Sequence, residues 1–258
     1  MQVHVLASGS SGNAVFVSDG SAKVLIDAGI SARRITASLA ALGETVDEIN
    51  AVFITHEHDD HVKGLSTLLK QYSLPVYARP SAWQSLTDAQ LPAGCYRGMP
   101  ASIQVGGMQV EPFAISHDAA DPVGFSLYSG GRKCSIATDL GFVTDEVKKA
   151  LSHSDILVLE SNHDIDMLRQ GSYPWHLKKR IMSNRGHLSN MDAAWTLARL
   201  PRKAHTHVFL AHLSKENNRP DLARATVSDI LKSQGLNVGS DVSLHLTYPD
   251  RTVSLPGL

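Results

Sequence analysis

The stretch that decides the fold is Ala51-Val52-Phe53-Ile54-Thr55-His56-Glu57-His58-Asp59-Asp60-His61. Its first half is apolar and rich in β-branched residues, which predicts a buried strand. Apolar residues then recur at helical spacing from Val62 to Tyr72, which predicts a helix directly afterwards. The histidines and acids of the second half therefore occupy a loop between a strand end and a helix start, where active sites of layered α/β proteins often lie.

Four side chains of this loop, His56, His58, Asp60 and His61, can each bind a divalent metal ion through nitrogen or oxygen. On an extended loop, residues 56 and 58 point the same way, so both imidazoles can bind one ion. Asp60 and His61 lie further round the turn and can reach a second ion. The alternative is a polar helix cap whose histidines fell there by chance, and four suitable ligands at this spacing make that alternative uncommon. The loop therefore predicts a metal site.

The spacing His-x-His-x-Asp-His after an apolar strand resembles the signature of the metallo-β-lactamase fold. In that family a histidine, an aspartate at a strand end and a final histidine follow in this order. The matching residues here are His117, Asp139 and His212, each of which comes directly after an apolar run. Any one of the three alone would be weak evidence, whereas the ordered set supports the resemblance strongly.

The resemblance implies a binuclear metal centre, with zinc suggested by the histidine-rich ligands and manganese by the added carboxylates. It also implies that Asp27 supports the centre from behind, although a turn aspartate explains that residue nearly as well. The implied ligands are His56, His58 and His117 for the first ion, and Asp60, His61 and His212 for the second, with Asp139 bridging.

Length and composition are compatible with one α/β domain covering residues 1–258. Hydrophobic residues make up 43% of the 258 residues, enough for a sizeable core, and the net charge of −1 indicates neither a nucleic-acid nor a membrane partner. Two cysteines are too few for a disulfide framework, and no signal peptide or bilayer-spanning run is visible. We therefore expect a cytoplasmic protein with no membrane association.

Strand and helix patterns alternate along the chain. Strands are predicted up to Val242–Leu246, which is expected to close the chain, and Gly106-Gly107 and Gly130-Gly131 are predicted hairpin turns. Ser31 is a predicted cap of a helix that ends at Gly43. This order favours two packed sheets with helices outside, a four-layer αββα sandwich.

Further residues narrow the resemblance within this broad family. His58 stands where the flavin-dependent diiron relatives carry glutamate, and Asp60 with Asp139 is similar to the two-metal hydrolases that cut phosphodiesters. Several longer segments resemble the bacterial YycJ/WalJ group, which are DNA exonucleases of this fold, and the resemblance spans nearly the whole chain. These segments are residues 6–13, 117–124, 160–164, 186–190 and 212–218.

A basic stretch supports a polyanionic substrate independently. Residues 167–191 carry a local charge of +5 and contain no Asp or Glu. Such a stretch beside a metal site could hold a phosphate backbone, although the solvated face of a helix explains it equally well. The candidate substrate-binding cations are Lys178, Lys179, Arg180 and Arg185.

Three polar residues outside the metal ligands are further candidates because the resemblance places them near the site. Asn13 and His163 are predicted to contact the substrate, and His187 to protonate the leaving oxygen. Asp60 and His187 are thus the predicted catalytic residues, in a reaction where a metal-held hydroxide attacks phosphorus. The predicted partner is nucleic acid, with DNA favoured over RNA.

Two other functions stay open. A glyoxalase-like hydrolase of thioesters or acyl groups would use the same metal centre on a small substrate. A binding or regulatory module would keep metal for structure, but an open pair of sites is unusual in that role. A β-CASP ribonuclease is disfavoured because the interval between Asp139 and His212 is too short for its inserted domain.

Overall fold

The computed structural model describes residues 1–86, 91–92 and 94–257. The described strands are β1 (Gln2–Ala7), β2 (Ala14–Ser18), β3 (Lys23–Ile26), β4 (Ala51–Phe53), β5 (Val76–Ala78), β6 (Tyr96–Gly98), β7 (Ile103–Val105), β8 (Met108–Ala114), β9 (Val123–Ser129), β10 (Arg132–Ala137), β11 (Ile156–Glu160), β12 (Thr206–Ala211), β13 (Val242–Leu246) and β14 (Val253–Leu255). The described helices are α1 (Ala32–Ala41), α2 (Asp59–Val62), α3 (Leu65–Gln71), α4 (Pro80–Ser85), α5 (Asp145–Leu151), α6 (Ile165–Gln170), α7 (Trp175–Ile181), α8 (Asn190–Arg199) and α9 (Pro220–Ser233), with a 3₁₀ turn at Val46–Glu48.

The strands form two seven-stranded mixed sheets. The first sheet has the order β14-β1-β2-β3-β4-β5-β6, and the second has the order β13-β12-β11-β10-β9-β8-β7. The prediction that Val242–Leu246 closes the chain is wrong, because β14 follows it and pairs antiparallel with β1, with Val3 opposite Leu255. The last strand of the chain thus extends the first sheet.

Three apolar layers hold the sheets and helices together. The inner faces of the two sheets pack against each other through side chains such as Phe53, Phe125 and Phe209, all fully buried. The outer face of the first sheet packs against α1 and α3, for example through Ile35 and Leu68. The outer face of the second sheet packs against α5, α8 and α9. The predicted αββα arrangement is confirmed.

Local signals in the sequence explain several element boundaries. Ser31 caps α1 by accepting a hydrogen bond from the Arg34 amide, and Gly43 follows the helix with φ +77°. The predicted helix after the histidine loop is instead divided into α2 and α3. It breaks at Gly64, whose amide donates to the Ala28 carbonyl, and where a Cβ would lie 1.9 Å from the Ile30 oxygen.

Strand direction positions the site. In the first sheet β3 and β4 are parallel, and in the second sheet β10, β11 and β12 are parallel. The carboxyl ends of these strands therefore meet at one edge of each sheet. The residues that follow them are drawn together at that common edge, where ligand sites of α/β sheets typically lie.

Candidate metal centre and its cleft

Backbone hydrogen bonds fix the histidine loop after β4. The carbonyl of Asp60 accepts from the Asn13 amide at 2.7 Å, and the carbonyl of His61 accepts from the Ala28 amide at 2.8 Å. Gly29 packs so closely that a Cβ there would lie 1.7 Å from the Asp60 oxygen. The loop is therefore held on both sides, with α2 beginning inside the motif at Asp59.

Three residues at strand ends have left-handed backbone conformations. Asp27, Asp139 and His212 have φ values of 62°, 57° and 54°. Aspartate and histidine tolerate this region better than most side chains, but it still carries strain that the surrounding structure must support. In each case the unusual turn directs the side chain towards the same edge of the sheets.

The structure brings His56, His58 and His117 together as one possible metal-binding group. One ligand atom from each lies within 4.8 Å of the others. His56 is fully buried, and its Nε2 has no hydrogen-bond partner. A buried ring nitrogen left in this way is costly unless it has a ligand, and a divalent cation is the ligand that three converging imidazoles favour.

A second group consists of Asp60, His61, Asp139 and His212. The Oδ2 of Asp139 lies 2.9 Å from His61 Nε2 without hydrogen-bond geometry, and the Oδ2 of Asp60 lies 3.4 Å from His212 Nε2. Asp139 Oδ1 is also 3.8 Å from His117 Nε2. Asp139 therefore lies between the two groups, as a bridging carboxylate would.

The far sides of three of these rings, those of His61, His117 and His212, are held by other groups. The Nδ1 atoms of His61 and His117 face Asp27 Oδ2 at 2.7 Å and the Gly186 carbonyl at 3.1 Å. His212 Nδ1 faces Glu160 at 2.8 Å. Partners of this kind fix the tautomer and leave Nε2 free for a metal ion.

Glu160 is the functional residue that the sequence analysis missed. It is fully buried at the end of β11, and its Oε1 faces both His212 Nδ1 and His187 Nδ1, the latter at 2.9 Å. Its Oε2 accepts the amides of Leu140 and Leu188 at 2.8 and 3.0 Å. In the segment Glu160–Asp164 the sequence singles out His163 as the candidate, whereas the structure places Glu160 at the site.

The electrostatics of the site follow from burial and from the carboxylates. Burial lowers the pKa of His56 well below its usual value, and the neighbouring His61 lowers it further. Burial also opposes charge on His61 and His212, but Asp139 and other carboxylates outweigh it and raise the pKa of both. The carboxylates thus supply negative charge that suits a cation.

A cleft of about 230 Å³ opens onto these groups. His58, Asp60, His117, Asp139 and His212 line one part of it. Another part of the lining comes from the segment around α7, which contributes Tyr173, Leu177, Arg180 and Ile181, and from His187.

His187 lies where the sequence analysis expected it, beside the metal groups. Its Nδ1 faces Glu160, which leaves Nε2 for another partner. Burial would lower the pKa of His187, but Glu160 and Asp139 raise it above the usual value.

Two predicted substrate-binding residues are occupied elsewhere. The Nδ2 of Asn13 donates to Asp60 Oδ2 at 3.2 Å, and its Oδ1 accepts from the Gly9 amide, so its side chain supports Asp60. The ammonium group of Lys178 is buried and donates to the carbonyls of Arg169 and Gly171 at 2.8 and 2.6 Å. Lys178 therefore joins α7 to the end of α6, which argues against phosphate binding.

His163 is also withdrawn from the cleft. It is 2% exposed, does not line the cleft, and burial lowers its pKa to about 4. Its backbone carbonyl accepts from the Asn190 amide at 2.8 Å, which holds the start of α8. The geometry therefore disfavours the direct substrate contact expected of His163.

The remaining three cations are at the surface. Arg180 lines the cleft and donates from Nε to Asp118, while Arg185 Nε lies 3.4 Å from the His117 carbonyl. Lys179 lies over the ring of Trp175, with Nζ 5.6 Å from the centroid. Arg180 is therefore the cation of the basic stretch that is placed in the cleft itself.

The fold and the two candidate ligand groups together define the class of protein to which this chain belongs. A family model described as a beta-lactamase superfamily domain matches residues 22–212, and the chain belongs to the metallo-β-lactamase superfamily. Within it, the chain is 39% identical to exodeoxyribonuclease YycJ of Bacillus anthracis over 249 residues, which are 95% of this chain and 94% of that protein. It is 36% identical to exodeoxyribonuclease WalJ of Streptococcus pneumoniae over an alignment that covers 97% of this chain and 96% of that protein.

A solved structure supports the fold independently. The metallo-β-lactamase fold protein YhfI from Bacillus subtilis is similar with a TM-score of 0.72 and 14% identity, covering 98% of both chains. The predicted family, fold and enzyme class, a metal-dependent hydrolase, are confirmed. No helix in the described part of the chain is long and apolar enough to cross a membrane.

Proposed function

We propose that this protein is an exonuclease that hydrolyses DNA phosphodiester bonds with two divalent metal ions, zinc or manganese. The observation that carries the proposal is the pair of buried atoms without hydrogen bonds, His56 Nε2 and Asp139 Oδ2, one in each adjoining ligand group. The names of relatives that match almost the whole chain support DNA as the substrate.

The donor set fits the metals proposed. Imidazole nitrogens with carboxylate oxygens suit zinc, and the carboxylates also suit manganese. The proposed ligands are His56, His58 and His117 for one ion, and Asp60, His61 and His212 for the other, with Asp139 shared. When bound, such ions lower the pKa of water and stabilise charge on phosphate oxygens.

The protein's own groups position the substrate and move a proton. Arg180 would contact the phosphate from the α7 part of the cleft lining, as a planar guanidinium does well. His187, held at Nδ1 by Glu160, would donate a proton from Nε2 to the leaving oxygen. Asp60 would act through the ion that it holds, and Asn13 orients its carboxylate.

Digestion of end-labelled linear duplex DNA tests this proposal. Wild type with added manganese or zinc should release labelled mononucleotides or short fragments, and Asp60→Ala/His61→Ala should release none. Asp59→Ala is the matched control, because Asp59 is an exposed neighbouring carboxylate outside the ligand groups, and it should retain activity.

A labelled RNA of the same sequence gives the second arm of the experiment. Slower degradation of RNA would support the preference for DNA, and faster degradation would reverse it. Intact DNA in the presence of bound metal, together with cleavage of a thioester, would overturn the nuclease proposal while leaving the family assignment untouched.

A further inference from the structure

A second groove lies on the other side of one wall of the metal cleft. It has a volume of about 510 Å³, and its lining includes Phe142, Met182, Trp195, Lys148 and Arg199. This combination of aromatic, apolar and basic side chains is not used by the metal centre or by the proposed proton transfer.

The wall between the cleft and the groove is thin. Asp139 lines the cleft and Phe142 lines the groove, and three residues span at most about 11 Å. A Cβ on Gly141 would lie 2.1 Å from the Asn184 carbonyl oxygen, so the two chain segments of the wall are in direct contact. The Ser116 hydroxyl ties the wall to the metal side by donating to that same carbonyl at 2.6 Å. The cleft and the groove are therefore close neighbours, separated by this wall.

Two of the four exposed large apolar side chains in the described part of the chain line this groove. Phe142 is 41% exposed and Met182 is 37% exposed, and both are groove-lining residues. An unpaired nucleobase is a suitable partner for an exposed aromatic ring, because stacking needs no particular base sequence.

Basic side chains accompany these rings. The guanidinium of Arg199 lies 5.0 Å from the centroid of the Trp195 ring, and Lys148 is exposed on the same groove. Two acidic residues also line the groove. Asp192 accepts from the amide and hydroxyl of Ser189 in the cap of α8, and Asp145 is exposed in the first turn of α5. The groove thus offers rings for bases and, beside its two carboxylates, two cations for phosphates.

We propose that this groove binds an unpaired DNA strand that continues from the metal centre, with a base stacked on Phe142 and phosphates held by Lys148 and Arg199. This inference rests on the proposed function and adds the path of the substrate. It makes Phe142 a substrate-binding residue that does not contact the reacting bond.

The test measures binding by metal-loaded protein to a fluorescent single-stranded DNA of about 12 nucleotides, within the range that single-strand binders cover. Phosphorothioate linkages slow hydrolysis, so anisotropy reports affinity. Phe142→Ala should bind about 5- to 150-fold more weakly than wild type, the range expected for loss of one stacked base. Met191→Ala, which removes another exposed apolar side chain outside the groove, should bind as wild type does.

The charge in the groove gives a second readout. Lys148→Gln should reduce the slope of log affinity against log salt by about 0.7, the value for one phosphate contact of a single strand. Equal affinities and slopes for wild type and the groove variants would overturn the proposal, as would an equal loss in Met191→Ala.

The two proposals fail in different ways. A wild type that binds the strand through Phe142 but never degrades DNA would contradict the exonuclease proposal alone. Degradation of DNA by wild type, with unchanged strand binding by Phe142→Ala, would contradict the groove alone.

Discussion

The two sheets build their halves of the metal centre in different ways. The first sheet supplies His56, His58, Asp60 and His61 from a single loop after β4. The second sheet supplies one residue after each of several strand ends, so its half depends on the relative position of strands far apart in sequence. The first half lies on one short loop that contacts with Asn13, Ala28 and Gly29 hold in place, whereas the second depends on the packing of β8, β10, β11 and β12.

The carboxylates behind the two halves show this difference directly. Asp27 supports His61, and burial raises the pKa of Asp27 because one imidazole and Thr55 only partly offset the loss of solvent. Burial also acts on Glu160, but His187 and His212 bring the pKa of Glu160 down to about 2. The more widely connected carboxylate is the one held firmly in its charged form.

The two halves of the metal centre can be compared by replacing Glu160 and Asp27 with their amides, which removes the charge and keeps the shape. In Glu160→Gln the new amide must point either at two imidazole nitrogens or at the amides of Leu140 and Leu188, so donors face donors in both orientations. We expect activity or metal affinity to fall by about 10- to 100-fold, as when outer partners of metal ligands are lost.

Asp27→Asn should cost less than Glu160→Gln. It affects one candidate ligand ring, His61, and the amide oxygen can still accept from Thr55. The comparison is made by metal content and by DNA hydrolysis of both variants at one metal concentration. A larger loss in Asp27→Asn would mean that the local loop, and not the connected strand ends, limits the centre.

The packing of the first half can be broken without touching a ligand. Gly29→Ala would place a methyl group 1.7 Å from the Asp60 carbonyl oxygen, so the loop must shift. Overpacking of this kind costs about 1–3 kcal/mol, and each kcal/mol lowers the thermal midpoint by about 2–4 °C in a chain of this size.

Gly98→Ala is the matched control, because a Cβ at Gly98 has nothing within 4 Å. The thermal midpoint of unfolding and the metal content should both fall in Gly29→Ala, and both should stay near the wild-type values in Gly98→Ala. Unchanged metal content in Gly29→Ala would show that the loop tolerates displacement and is less tightly fixed than its contacts indicate.

The difference between the two halves of the metal centre explains what could be predicted from the sequence. The first half could be predicted from the residues themselves, because four candidate ligands fall within one short motif after an apolar strand. His117, Asp139 and His212 could be placed only through the family resemblance, because each is a single residue whose position depends on strand packing. Their roles as ligands remain predictions, although the structure places all three at the centre.

Other features could not be predicted because they depend on long-range packing. Glu160 continues an apolar strand, and nothing local shows that two imidazoles will face it. Lys178 belongs to a basic run, and its burial depends on how α7 meets the end of α6. The strand β14 is short, and it is defined by its pairing with β1 at the other end of the chain.

The smallest expected effect lies at the opposite end of the second sheet, where buried charge is fully paired. Asp155, just before β11, accepts from Lys203 Nζ at 2.6 Å, from Arg132 at 3.0 Å and from the Lys133 amide at 2.8 Å. Burial would raise the pKa of Asp155, but these donors, led by Lys203, lower it below its usual value. No metal ion is needed to balance this carboxylate.

Because the pKa of Asp155 is lowered in the folded protein, its charge stabilises the fold above the usual aspartate pKa, near 3.9, and this contribution is lost as the pH falls below it. Asp155→Asn should lower the free energy of unfolding at pH 7 by about 1 kcal/mol, since both cationic partners are partly exposed. Urea unfolding at several pH values measures this effect. The difference in free energy of unfolding between Asp155→Asn and wild type should shrink as the pH falls below about 4.

DNA hydrolysis at pH 7 should be unchanged, because Asp155 lies at the opposite end of β11 from Glu160. A loss of activity comparable to that of Glu160→Gln would show that the two ends of the strand are coupled, and the local account of the second half would then be wrong.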